Sequence, residues 1–203
     1  MHAELAPMHD PRRHPRSPLF PSAGNLCTPE YADTIEHIVI VPIATTREWK
    51  NHFPSVMKIV DMAMAELGGD ASRLSLAGQS MGGHGAWLLG FEQAARFSAI
   101  VVCCGFIAGK EGGPIPPELV SALAPKPVWV FHAEDDGVIP VANSDQAVEA
   151  LKAGGSTKIK FTRYPPGTAP DTPIPGGVLK AHASYELAFK DPGFWPWIKE
   201  QSL

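Results

Sequence analysis

Two features of the sequence predict a three-layer α/β fold, a mainly parallel sheet with helices on both faces. Short apolar, often β-branched runs alternate with helical segments along the chain, the pattern of strands joined by crossover helices. At one junction, Leu74 to Leu89, an apolar strand runs through Gly78-Gln79-Ser80-Met81-Gly82 into a helix of buried composition. A G-x-S-x-G between strand and helix holds its serine in a sharp turn with the hydroxyl exposed above the sheet. Gly78 and Gly82 lack a Cβ, which allows strand and helix to approach closely, and Gly83 and Gly85 extend that small surface.

The elements follow in order. Residues 1–34 carry six prolines, several histidines and arginines, and no apolar periodicity, and read as a disordered or loosely ordered leader. A domain then spans 35–203. Ile38-Val39-Ile40-Val41, closed by Pro42, suits a buried parallel strand. Pro54 to Leu67 places apolar residues at Val56, Ile59, Val60, Ala63 and Leu67, an amphipathic helix with proline in its first turn and Gly68-Gly69 at its end. Met57, Met62 and Met64 on it read as core filler. After the Ser80 junction a helix is expected to about Arg96, then a strand at Ala99 to Cys104, a short helix near Glu118 to Leu123, and a strand at Pro127 to His132. A helix from about Val141 to Ala153 and a half-exposed strand from Lys158 to Tyr164 come next. Pro165 to Gly177, dense in proline and glycine, reads as an irregular loop at the rim of a pocket. Ala183 to Gln201 reads as two short helices broken at Pro192 and Pro196.

The 203 residues suit one domain, and 44% hydrophobic with 19% charged residues is enough to bury a sizeable core. A net charge of −4 without a basic stripe beyond residue 20 argues against nucleic acid as a partner. No apolar run is long enough for a membrane span, and the arginines before Phe20 precede no signal-peptide core. Three cysteines, Cys27 and the adjacent Cys103 and Cys104, make neither a disulfide framework nor a C-x-x-C site, which suggests a reducing, cytoplasmic setting.

Ser80 needs a base to take its proton, an acid to orient that base and amide donors for an oxyanion. The acidic cluster Glu134-Asp135-Asp136 follows a strand end, and His182 opens the last helical region, so both fall on loops at the edge of the sheet that carries Ser80. Met81 N–H, one residue after the nucleophile, is the expected first oxyanion donor. His84 reads as a packing or pocket-wall residue and His132 as satisfied at its strand end, while His37 and His52 stand in no motif. No H-x-x-x-H or H-E-x-x-H spacing occurs, so neither a metal nor a cofactor is expected.

The segments GQSMGGHGAW, FHAEDDGVIP, AHASYELAF and FWPWI resemble the motif regions of the predicted-peptidase and esterase branch of the αβ-hydrolase superfamily. That branch is related to polyhydroxybutyrate depolymerases, feruloyl esterases and the phospholipase/carboxylesterase group. The resemblance runs from about Ile38 to Ile198 and implies a serine hydrolase acting on small-molecule carboxylic esters. Similar proteins read H-G-x-x-D-x-x-V-P, which makes Asp136 the implied acid, with Asp135 its rival and Ala133 in the glycine place. The family's G-H-x-S-W stands here as Ala181-His182-Ala183-Ser184-Tyr185 and implies His182 as the base.

One family feature is missing. Similar proteins carry a strand ending in Leu-His-Gly upstream of the Ile38 to Val41 strand, and its loop supplies the second oxyanion donor. No such motif occurs before Ser80, so that donor is unknown and the chain reads as amino-terminally truncated or as having replaced the segment. With that strand gone, the strands at 38–41 and 74–77 are expected either to pair directly or to leave an exposed edge prone to self-association. The alternative reading that follows is a catalytically weak or inactive hydrolase-fold binding protein, and a peptidase of related fold is a third.

Overall fold

The computed structural model describes residues 2–5, 36–46, 48–174 and 176–203. Six parallel strands form the main sheet: β1 (His2–Leu5), β2 (Val39–Ile40), β3 (Ser75–Gln79), β4 (Ala99–Cys103), β5 (Val128–Ala133) and β6 (Ile159–Tyr164), in the order β2-β1-β3-β4-β5-β6. The helices are α1 (Phe53–Leu67), α2 (Met81–Glu92), α3 (Pro117–Leu123), α4 (Ala142–Ala153), α5 (Ser184–Lys190) and α6 (Phe194–Glu200). A small antiparallel ribbon pairs β7 (Thr172–Ile174) with β8 (Gly177–Leu179).

Strands β3, β4 and β5 are buried along their whole length, and their period-2 alternation separates two cores. Leu76, Ile100, Val102, Val128 and Val130 face α1 to α4. Ala77, Val101, Cys103, Trp129 and Phe131 face α5 and α6, where Trp129, Phe131, Phe189 and Phe194 form an aromatic cluster. A sheet covered on both faces needs apolar side chains at successive positions. That need accounts for the continuous apolar runs that predicted parallel strands.

Several expectations are corrected. The strands at 38–41 and 74–77 do not pair directly and present no edge to each other, because His2–Leu5 lies between them, with His2↔Val39 on one side and His2↔Ser75 on the other. Part of the expected loose leader is therefore a strand of the sheet; the rest of residues 1–34, Cys27 included, lies outside the described residues. The buried stripe of α1 is Phe53, Val56, Met57 and Val60, so Ile59, Met62 and Leu67 point to solvent and Met62 is not core. The proline-dense loop contains β7 and ends where β8 begins, and Pro173 of β7 pairs with Val178 of β8. Pro196 lies inside α6, at its third residue, where a first-turn amide has no intrahelical partner to lose.

Candidate active site

The carboxyl ends of β3, β4 and β5 and the loop before α5 converge on one point. At the first of these, the tight turn between β3 and α2 is permitted by Gly78. A Cβ there would overlap the Gly82 carbonyl and lie 2.9 Å from Gly83 N, all backbone with no room to yield. A Cβ at Gly83 would stand 2.9 Å from Gly105 Cα, so the first turn of α2 also lies hard against the segment leaving β4. Ser80 between them adopts φ 52°, ψ −119°, and its N–H donates to Cys103 O at 2.9 Å. That conformation is costly for an L residue and turns the side chain out of the strand toward the sheet's carboxyl edge.

The structure brings Ser80, His182 and Asp136 together. His182 Nε2 is 2.8 Å from Ser80 Oγ, and His182 Nδ1 lies 2.8 Å from Asp136 Oδ2 and 3.0 Å from Oδ1. An ionised carboxylate only accepts, so Nδ1 carries the proton in the neutral ring and Nε2 accepts from the Ser80 hydroxyl. The Asp136 side chain is fully buried. Its Oδ1 also accepts the backbone N–H groups of Val138 (2.8 Å) and Ile139 (3.0 Å). Burial pushes the carboxyl up, but hydrogen bonds from His132, His182 and the Ile139 amide outweigh it and hold the group well below the usual carboxylate range. For His182 burial is again the largest influence, here lowering the imidazole. The Asp136 hydrogen bond, the Cys104 contact and the Asp136 charge together overcome it and leave the pKa raised.

Asp135 is turned elsewhere: its Oδ2 accepts Gly167 N–H at 2.9 Å and ties the 165–171 segment to the acidic turn. His84 stacks on Phe106 with centroids 4.5 Å apart, its Nδ1 3.0 Å from Phe106 O, and burial pulls its pKa down. It sits one turn into α2, its N–H on Ser80 O, as a wall beside the serine rather than a partner of its hydroxyl.

Two residues have a larger part than their sequence context signalled. His132 is satisfied at its strand end, with Nε2 3.0 Å from Ile139 O and Nδ1 2.7 Å from Ser144 Oγ. A carbonyl can only accept, so Nε2 carries hydrogen, and it also stands 3.3 Å from Asp136 Oδ2. The four-residue spacing from His132 to Asp136 was the available signal for this contact. Cys104, fully buried, donates its Sγ–H to His182 O at 3.4 Å and takes φ 41°. Among the described residues the non-glycine positions with positive φ are Ser80, Cys104 and Ala181, and all three lie at this site.

Cys104, Asp136 and His182 also bring three potential metal donors within 4.8 Å. Asp136 and His182 already engage each other at hydrogen-bond spacing, shorter than the roughly 3.4 Å that separates tetrahedral ligands held about 2.1 Å from one ion. No helix among the described residues is long and apolar enough to cross a membrane.

No protein-family model matches the chain, and no curated protein matches it. Solved structures do. A thermostable esterase superposes with a TM-score of 0.74 at 26% identity, covering 100% of this chain and 54% of the other, so the chain spans about half the length of that relative. MPT51 of Mycobacterium tuberculosis gives a TM-score of 0.66 at 16% identity, covering 97% and 89% of the two chains. SOBER1 of Arabidopsis thaliana gives 0.59 at 16% identity, with 98% and 96% covered. A parallel sheet with helices on both faces and a serine turn at its carboxyl edge is the αβ-hydrolase fold. The chain has the αβ-hydrolase fold and is similar in structure to a solved esterase.

Proposed function

We propose that this chain is a serine hydrolase that cleaves carboxylic esters through an acyl-enzyme. Ser80 is the nucleophile, His182 the general base and then acid, Asp136 the group that orients the imidazole, and Met81 N–H an oxyanion donor. The observation that carries the reading is the continuous chain from Asp136 through His182 to Ser80 Oγ, with 2.8 Å at each of its two links.

As Ser80 Oγ attacks the acyl carbon, His182 Nε2 takes the hydroxyl proton, and the buried Asp136 carboxylate stabilises the imidazolium that forms. Met81 N–H is the first amide of α2, one of those a helix cannot bond internally, and in this reading it donates to the developing oxyanion. His182 then returns the proton to the departing alkoxide. Water, deprotonated by the same nitrogen, releases the acid and restores Ser80. The second oxyanion donor is expected in the segment after β1, which lies outside the described residues. Likeness to a thermostable esterase favours esters among acyl substrates.

The test is hydrolysis of short-chain p-nitrophenyl esters under rapid mixing. A burst of p-nitrophenol equal to the protein concentration, followed by slower turnover, is the fingerprint of acyl-enzyme accumulation. Release no faster than the buffer blank from folded protein would overturn the reading in favour of an inactive binding fold.

A further inference from the structure

We infer that Asp171 is a positioning residue for His182, acting by holding Ala181 in a left-handed backbone conformation. This rests on the reading of His182 as the base. Ala181, buried and immediately before His182, has φ 49°. Its N–H donates to Asp171 Oδ1 at 2.7 Å, a bond that closes the base of the β7–β8 ribbon, since Asp171 and Ala181 lie just outside its two strands. The neighbouring backbone groups are held as well. Ala183 N–H donates to Pro170 O at 3.1 Å, Cys104 Sγ–H to His182 O at 3.4 Å, and Gly137 N–H to Lys180 O at 2.9 Å. The backbone of four consecutive residues, 180–183, is thus gripped from three directions, and Asp171 supplies the carboxylate that holds Ala181.

An alanine prefers right-handed or extended backbone over the left-handed region by about 5- to 30-fold per residue. Without the Asp171 acceptor that preference is unopposed at residue 181. A changed φ there rotates everything after it, so the His182 ring moves off the 2.8 Å contact with Ser80 Oγ. Asp171 thereby acts through the backbone, in proportion to the time residue 181 spends in the left-handed state.

The experiment measures the rate of fluorophosphonate labelling of Ser80, with kcat and KM for a p-nitrophenyl ester and the melting temperature, in the unmodified chain and four variants. Asp171→Ala should slow labelling and lower kcat by about 5- to 30-fold, with KM within about twofold. Asp171→Asn keeps an Oδ1 acceptor and should retain most of the rate. Ala181→Gly alone should be near the unmodified rate, because glycine populates the left-handed region without penalty. The double variant Asp171→Ala/Ala181→Gly should recover most of what Asp171→Ala loses. A merely structural defect would be deepened, not repaired, by that glycine. Where Asp171→Ala does not fold, Asp171→Gln, which moves the acceptor by one methylene, carries the same comparison with and without Ala181→Gly. Labelling of Asp171→Ala at the unmodified rate, a loss not relieved by Ala181→Gly, or Asp171→Asn as slow as Asp171→Ala each overturns the proposal while leaving Ser80 the nucleophile. An unmodified folded chain that does not label at all overturns the Ser80–His182 reading and this proposal with it.

Discussion

The serine turn and the histidine loop both present a side chain from a left-handed, non-glycine residue or from the residue after one, yet they are held by different means. At Ser80 the conformation is enforced locally: Gly78, Gly82 and Gly83 let β3, α2 and the exit from β4 pack so closely that the turn has nowhere to go. At Ala181 the conformation is held from a distance, by Asp171, Pro170, Cys104 and Gly137, each contributing a single hydrogen bond. Strain secured by packing should fail abruptly when a methyl is added. Strain secured by separate bonds should fail by degrees.

Substitutions that sharpen this contrast range widely in expected effect. Ser80→Ala removes the proposed nucleophile without disturbing the turn, so ester turnover should fall by about a millionfold, with the melting temperature little changed. Activity equal to the unmodified chain would place the chemistry elsewhere. Asp136→Asn leaves the volume but presents the wrong partner to His182 Nδ1, and kcat should fall by about ten-thousandfold. Gly78→Ala adds a methyl where only backbone stands, and chemical denaturation should register a loss of about 3 kcal/mol of stability or outright failure to fold. A well-folded, active Gly78→Ala protein would break the claim that the serine turn is held by packing.

The pH dependence tests the histidine side. In the proposed role His182 acts as a base only when neutral, and its pKa is raised, so kcat/KM should climb with pH through a midpoint above the ordinary 6.5. The sign for stability follows the same shift. The contribution from protonated His182 is complete below 6.5 and is lost as pH rises through the folded value. Residual activity in Asp136→Asn should titrate at lower pH than in the unmodified chain, because a principal partner favouring the imidazolium is gone. An unchanged midpoint would mean that Asp136 does not set the base. The smallest effect is expected at Asp135→Asn: an acceptor for Gly167 N–H survives and no bond to His182 exists to lose, so turnover should stay within about twofold. A large loss there would exchange the roles of the two aspartates.

The same contrast accounts for what the sequence disclosed. The serine turn was legible because its cause is local and written in glycines, and the three apolar strands beside it because burial on both faces leaves continuous apolar runs. His182 and Asp136 were chosen through motif resemblance, and the structure sets them in line with Ser80. The left-handed residues Cys104 and Ala181 left no trace, since neither alanine nor cysteine marks such a conformation and the bonds that hold Ala181 come from residues far along the chain or across a ribbon. Strand β1 was hidden for a related reason. Its four residues are ordered by backbone pairing to β2 and β3, on both sides, and backbone pairing has no side-chain signature. Pro173 hid β7 by making one strand of a two-stranded ribbon look like coil.

The central claim, that one serine at a strained turn is activated by a histidine held from a distance, is tested most directly by fluorophosphonate labelling followed by peptide mapping. A single adduct per chain is expected, on Ser80, formed at a rate that rises with pH as His182 loses its proton and absent from Ser80→Ala. No adduct on folded protein, or an adduct on another residue that persists in Ser80→Ala, would contradict it.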